Sequence, residues 1–137
     1  MTVPVSRRMV EVSGTEALWL LEGAVHGRLV YVQRENAMVR PAVHVLEYGR
    51  LIVRTPAQPA ALSGRAPLTY HADEIRATSG TGWTVTAGGP ATVITDLDEA
   101  AHYRRTLPGW AHGPHDTLVR IQPQTVTGFR LVPTGAR

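Results

Sequence analysis

The sequence predicts a mainly β protein, an antiparallel β-barrel with two short peripheral helices. Runs of β-branched and aromatic residues recur along the chain and are separated by short turns. The run from Trp83 to Ala87 alternates tryptophan, valine and alanine with threonine, the pattern of a strand that buries one face. Gly88-Gly89-Pro90 follows this strand, and paired glycines there indicate the bend at which a sheet curls into a barrel.

Composition limits both the class of protein and its partners. The chain has 137 residues, of which 43% are hydrophobic, and this size predicts one domain with its own core. It has no cysteine, so disulfides and thiolate chemistry are excluded. All 14 basic residues are arginines, and they form no basic run with interleaved aromatics, so nucleic acid is not an expected partner. No apolar run is long enough to span a membrane and the first residues lack the apolar segment of a secretion signal, so we expect a cytoplasmic protein.

Two segments carry helix-start signals. Ser13 and Glu16 form the pattern of a capping box before an apolar run, which predicts a helix over residues 13–22. Asp96 and Glu99 repeat the pattern and predict a second helix over residues 96–106. Residues 1–12 show no periodicity and are predicted to be a terminal arm, so the domain covers residues 13–133 and a tail covers 134–137.

The remaining periodic segments predict strands. Their ranges are 27–33, 38–46, 50–55, 67–72, 83–87, 91–95, 117–122 and 126–132. Pro41 cannot donate a ladder hydrogen bond, so it is expected at an edge or a bulge. In the same strand, alternation places Arg40, Ala42 and His44 on the polar face. The proline-containing segment 56–64 predicts a loop that leads into a single helical turn.

Short motifs in a fixed order resemble those of the pyridoxamine 5'-phosphate oxidase-like flavin-binding split-barrel family. The motifs are Gly27-Arg-Leu, Arg40-Pro-Ala-Val, Leu51-Ile-Val-Arg-Thr, Gly82-Trp-Thr-Val, Gly109-Trp110 with Asp116, Val119-Arg-Ile and Val126-Thr-Gly-Phe-Arg. The resemblance covers about residues 17–132. It implies a split β-barrel that forms a homodimer, with FMN in a groove at the dimer interface and a small molecule as substrate.

The resemblance also implies a set of cofactor-binding residues. The strand from Arg40 to His44, which includes Val43, resembles the one that lies along the flavin ring and offers main-chain groups to its polar edge. Arg54 and Thr55 resemble the pair that ends a strand at the cofactor phosphate, where a guanidinium and a hydroxyl suit phosphate oxygens. The remaining members of the set are Gln58 in the loop that follows, and Trp83 and Trp110, which resemble family tryptophans near the cofactor, one or both of them supplied by the partner subunit.

The chain departs from the family pattern after Thr55. Many relatives have a glycine-rich turn and a lysine there, whereas this chain has Pro-Ala-Gln-Pro-Ala-Ala and no lysine at all. Two functions therefore stay open. One is an FMN-dependent oxidoreductase, in which the cofactor carries the redox chemistry. The other is a split-barrel protein without FMN, which binds a deazaflavin, haem or a small metabolite, or acts without a cofactor.

The single residues have alternative interpretations. His44 and His71 are the candidate proton donors, although a histidine on the polar face of a strand is more often a surface residue. Trp83 is more often a core residue than a stacking partner, and Arg40 or Arg54 can be solvated strand residues. His112 and His115, together with Asp116, have loosely metal-like spacing but lack a fourth ligand, so no metal site is predicted.

Overall fold

A computed structural model describes residues 6–64, 67–109 and 115–134. These residues contain nine strands and three helices. In chain order they are β1 (Arg7–Val12), α1 (Gly14–Glu22), β2 (His26–Gln33), β3 (Asn36–Glu47), β4 (Arg50–Thr55), α2 (Pro59–Leu62), β5 (Leu68–Ile75), β6 (Gly82–Gly89), β7 (Ala91–Val93), α3 (Leu97–Thr106), β8 (Thr117–Ile121) and β9 (Thr125–Pro133).

The nine strands form one antiparallel sheet in the order β1-β9-β6-β5-β2-β3-β4-β8-β7. This confirms the mainly β, split-barrel class, and the sheet is not closed, because β1 and β7 remain as its edges. Strands β6 and β7 are consecutive in the chain but lie far apart in this order, so the chain turns the corner at Gly88-Gly89-Pro90. The link from β8 to β9 runs along that corner, where the N–H of Gln122 donates to the carbonyl of Pro90 at 2.9 Å.

The N-terminal segment is a strand rather than the predicted arm. Residues 7–12 pair with β9 over their whole length, from Arg7 opposite Pro133 to Val12 opposite Gly128. Most of this edge strand is exposed. A strand that buries neither face leaves no period-2 pattern in the sequence, which explains the wrong prediction.

The two tight turns that the sequence predicts around β3 are present. Arg34 and Glu35 have φ angles of 51° and 66°, and Tyr48 and Gly49 have 52° and 75°. Positive φ at both central residues is the geometry of a two-residue hairpin turn that matches the twist of its strands. These turns fix the registers of β2 with β3 and of β3 with β4.

Both longer helices begin at the predicted capping residues. The Ser13 hydroxyl accepts the Glu16 N–H at 3.1 Å, and the Asp96 carboxylate accepts the Glu99 N–H at 2.9 Å. The side chain of Glu16 forms an ion pair with Arg130 on β9, at 2.9 Å. The side chain of Glu99 likewise pairs with an arginine of β8. The glutamates thus tie their helices to the sheet.

Apolar side chains are buried on both faces of the sheet. Helix α1 packs against the inner face, over β6 and β9. The largest fully buried residues of that cluster are Leu21, Leu29, Leu51, Leu62, Tyr70 and Ile121. Helix α3 covers part of the outer face, where a second cluster contains Val43, Ile52, Ile94, Ala100, Tyr103, Leu107 and Leu118. Within the described ranges, no helix has the length and apolar character needed to cross a membrane.

Candidate functional site

The end of β4 lies beside the middle of β3, and we call this place the corner of the sheet. Val43 lies opposite Arg54 in the register of these two strands, and the Thr55 hydroxyl donates to the carbonyl of Pro41 at 3.0 Å. Gln58 follows at the start of α2, where it precedes the first helical residue. The structure therefore brings the predicted residues of β3 and β4 and Gln58 to one corner.

Strand β3 runs past the end of β4 and leaves an open backbone edge. The N–H of His44 donates to the carbonyl of Val25 at 2.9 Å, so the backbone groups of this residue point toward β2. Backbone groups alternate in direction along an antiparallel strand, so those of Val43, Pro41 and Val39 point toward β4. Strand β4 pairs only with residues 43–47 of β3. The backbone edge at Val39 and Pro41 therefore extends beyond β4, which confirms the edge position predicted for Pro41.

The chemistry of this edge is specific. Pro41 has no N–H, and its carbonyl already accepts the Thr55 hydroxyl. The carbonyl of Val39 accepts from the Arg40 guanidinium at 3.0 Å. The N–H of Val39 is thus the backbone donor that this edge offers nearest to Pro41, and a ring with acceptor atoms along one side suits it.

The guanidinium of Arg54 makes several hydrogen bonds on the outer face of the sheet. Its Nε and Nη2 donate to the two carboxylate oxygens of Asp116 at 2.8 and 2.7 Å. Its Nη1 donates to the carbonyl of Leu107 at 2.8 Å, at the C-terminal end of α3. The residue is only 8% exposed. We call Arg54, Asp116 and the end of α3 the arginine clasp.

The arginine clasp does not fit the predicted role of Arg54 in holding a phosphate. A phosphate would compete with the Asp116 carboxylate for the same fork and would be repelled by its charge. The hydrogen bonds from Arg54 hold the pKa of Asp116 below its usual value, so this carboxylate is charged at neutral pH. The approach is also covered, since a Cβ added to Gly109 would lie 3.2 Å from Nη2 of Arg54.

Thr55 and Gln58 differ in their access to a ligand. Thr55 is 0% exposed, and its hydroxyl is committed to the carbonyl of Pro41. Gln58 is exposed and its side chain makes no cap to α2, so its amide remains available to a ligand. Gln58 was predicted as a cofactor-binding residue, and of Arg54, Thr55 and Gln58 it is the one whose side chain makes no hydrogen bond within the described residues.

His44 is a buried core residue and does not lie on a polar strand face as predicted. It is 2% exposed, its Nε2 lies 2.8 Å from the carbonyl of Leu21, and its Nδ1 lies 2.5 Å from the Tyr70 hydroxyl. A carbonyl only accepts, so Nε2 carries the proton and the neutral ring accepts from Tyr70. Burial lowers the pKa of His44, which favours this neutral form. The alternation failed here because both faces of β3 are buried at this point.

His71 lies on the outer face of β5, in a network of polar side chains. Its Nε2 and the guanidinium of Arg28 both donate to one oxygen of Asp73, each at 3.1 Å. Its Nδ1 lies 3.1 Å from the Thr86 hydroxyl. Because a carboxylate only accepts, Nε2 of His71 carries a proton. The half-buried histidine thus lies beside a pocket of about 250 Å³ that Arg28, Pro41 and Asp73 line in part.

The predicted tryptophans do not join this corner within the described part of one chain. Trp83 is 8% exposed and belongs to the inner core cluster, on β6. It pairs with Glu74 and Arg130, whereas Arg54 lies on the outer face under α3. Trp110 lies outside the described residues. Sequence reasoning missed Tyr70 as the partner of His44, because the two residues lie on different strands, 26 positions apart. It also missed Asp73, although Asp73 follows His71 by two residues on β5 and the period-2 pattern places both side chains on one face.

The chain matches known proteins over most of its length. The family model for pyridoxamine 5'-phosphate oxidase matches residues 13–130. An uncharacterized Mycobacterium tuberculosis protein, Rv0080, is 34% identical over 134 residues, which cover 93% of this chain and 88% of that protein. The FAD-binding protein from Mycobacterium smegmatis is 25% identical with a TM-score of 0.69, over 90% of this chain and 98% of that structure.

A further solved structure agrees in fold. The FAD-binding protein from Mesorhizobium loti has a TM-score of 0.70 and 16% identity, over 92% of this chain and 98% of that structure. The curled sheet, the order of its motifs and the match over residues 13–130 point to one assignment. The chain belongs to the pyridoxamine 5'-phosphate oxidase family.

Proposed function

We propose that this protein is a flavin-binding oxidoreductase that uses FMN and acts on a small molecule. The observation that carries this proposal is the family membership, joined to 25% identity with a protein described as FAD-binding. The open edge of β3 supports it, because Val39 presents a backbone N–H next to Pro41 where the family resemblance expects the flavin ring. When bound, the flavin supplies the redox chemistry.

The chain's own residues would orient the ring rather than react with the substrate. The Val39 N–H would donate to an acceptor on the polar edge of the ring, and the Arg40 guanidinium beside it provides positive charge. The phosphate would not be held by Arg54, because that side chain is occupied in the arginine clasp. Gln58 is the described residue that remains to contact it, and Arg65 lies outside the described residues.

We propose a homodimer as the active form. Among the described residues, α3 covers part of the outer face, whereas Val32 and Val39 on that face are largely exposed. A second copy of the chain would cover these residues and would supply Trp110 to the groove, as the family resemblance implies, since Trp83 is buried in the core of its own subunit. Light scattering that returns the mass of one chain at micromolar concentration would contradict this assembly.

A second function is favoured by the occupied state of Arg54. Without that guanidinium and without any lysine in the chain, the phosphate of FMN loses two of its expected contacts. This alternative is a split-barrel protein that binds a deazaflavin, haem or a small metabolite, or that acts without a cofactor. It predicts no saturable binding of FMN or FAD.

Titration of the purified protein with riboflavin, FMN, FAD and a deazaflavin distinguishes these functions. Quenching of flavin fluorescence that saturates with FMN is the expected result. In Val39→Pro the edge N–H is lost while the ladder to β2 is kept, so flavin binding should weaken about tenfold. Val39→Ala keeps the N–H and is the matched control, with little expected change. Equal affinity in these two variants would show that the ring does not use this edge.

A further inference from the structure

Helix α1 and the inner face of the sheet line a second pocket, which is open to solvent and has no assigned role. Glu16, Trp19, Leu20 and Gly23 follow one stripe of the helix, at spacings of three and four residues. Trp83 lies between Glu74 on β5 and Arg130 on β9 in the register of the sheet. The ion pair of Glu16 with Arg130, at 2.9 Å, joins the helix to this row.

The pocket lies further along the helix and has a volume of about 440 Å³. Its lining contains two tryptophans and two glutamates but no basic residue, and consists of Trp19, Leu20, Glu22, Gly23, Glu74 and Trp83. Trp19 is 67% exposed, which is unusual for a side chain of its size, whereas Trp83 forms the buried wall. We call this the tryptophan pocket.

The charge at the tryptophan pocket is negative. The carboxylates of Glu22 and Glu74 have no hydrogen bond or ion pair with any other residue in the described ranges. Of the neighbouring arginines, Arg130 is paired with Glu16. Arg76 lines an adjoining pocket of about 650 Å³ that shares Glu74 and Trp83 with the tryptophan pocket. Two unpaired carboxylates therefore stand beside two indole rings in a chain whose formal net charge is +3.

This combination suits one class of ligand. The face of an indole ring attracts a cation through its quadrupole, and tryptophan is the strongest of the aromatic side chains in this respect. Carboxylates add charge attraction, while a metal ion would gain nothing from the indoles. The volume lies near the lower end of the range for small-molecule sites. We propose that the tryptophan pocket binds a small organic cation that carries an ammonium or quaternary ammonium group.

The test uses three cations of increasing apolar surface: tetramethylammonium, choline and benzyltrimethylammonium. Binding is measured by tryptophan fluorescence, and the tert-butyl analogue of choline, with carbon in place of nitrogen, is the neutral control. Saturable binding of at least one cation, with weaker or no binding of the neutral analogue, is expected. Absence of saturable binding for all three cations, or equal binding of choline and its neutral analogue, overturns the proposal.

Two variants locate the site. Trp19→Ala should weaken binding of the cation about tenfold and Glu74→Gln about fivefold, because they remove the ring face and one carboxylate. Trp19 is largely exposed, so its replacement leaves the core intact. Glu11→Gln, an exposed glutamate of β1, is the matched control and should bind as the wild type does. Unchanged affinity in both site variants would place the cation elsewhere and would overturn the assignment.

Discussion

Replacement of Arg54 by alanine is expected to destabilise the folded protein by about 2–4 kcal/mol. Hydrogen bonds to charged groups contribute about 1.5–3 kcal/mol each, and removal of one partner from a fully buried ion pair costs about 3–5 kcal/mol. Asp116 is about one-third exposed and keeps a contact from Arg104 at 3.3 Å, which reduces the cost below the fully buried limit. The carbonyl of Leu107 also loses its donor.

Urea unfolding at neutral pH, followed by circular dichroism, measures this loss. Arg105→Ala is the matched control, because Arg105 is exposed on α3, and its free energy of unfolding should stay within about 0.5 kcal/mol of the wild type. If Arg54 held a cofactor phosphate instead, Arg54→Ala would leave stability unchanged and would weaken FMN binding roughly thirty- to a hundredfold. A stable Arg54→Ala variant with that loss of affinity would refute the arginine clasp.

The remaining predictions concern acid stability, His44 and a close backbone approach. The pKa of Asp116 is lowered in the folded state, so the stability it contributes is present above its unfolded pKa of about 3.9 and is lost as pH falls. The free energy of unfolding of Asp116→Asn should therefore approach that of the wild type below about pH 4, and a constant difference would contradict this. The pKa of His44 is also lowered, so the wild type should lose stability as pH falls below about 6.5, whereas His44→Gln should show a flatter profile in urea unfolding. Gly27→Ala should cost about 1–3 kcal/mol, because a Cβ there would lie 2.7 Å from the carbonyl of His71 and would meet the Tyr70 ring. Gly14→Ala is the control, because a Cβ at Gly14 would have nothing within 4 Å, and its free energy of unfolding should stay within about 0.5 kcal/mol of the wild type. Equal losses of stability in the two variants would show that Gly27 does not lie in tight contact with Tyr70 and His71.

The fold was predictable where one face of an element is buried and the other is exposed. The alternation over Trp83 to Ala87 correctly predicts strand β6. The capping residues Ser13 and Asp96 correctly predict where α1 and α3 begin. The same reasoning failed at residues 7–12, which are exposed on an edge. It also failed at His44, because helix α3 covers the outer face of β3 while α1 and the inner core cover the other.

The candidate site was predictable only in part, because its contacts join distant segments. The sequence predicts Pro41 at an edge, and the structure shows that this edge is the end of β3 that β4 does not cover. The contact of Arg54 with Asp116 joins residues 62 positions apart. No local pattern distinguishes an arginine that meets a carboxylate from one that meets a phosphate. The register of β4 with β8 and the position of α3 decide between them.

The central claim is that this chain binds a flavin, and the most direct measurement is the ratio of flavin to chain in a saturating titration with FMN. Absorption and fluorescence of the bound flavin are followed while the protein concentration is held in the micromolar range. We predict a saturable transition with one flavin for each chain and the mass of two chains in light scattering. A protein that stays colourless and shows no saturation with excess FMN or FAD would contradict the claim and would favour the function without a flavin.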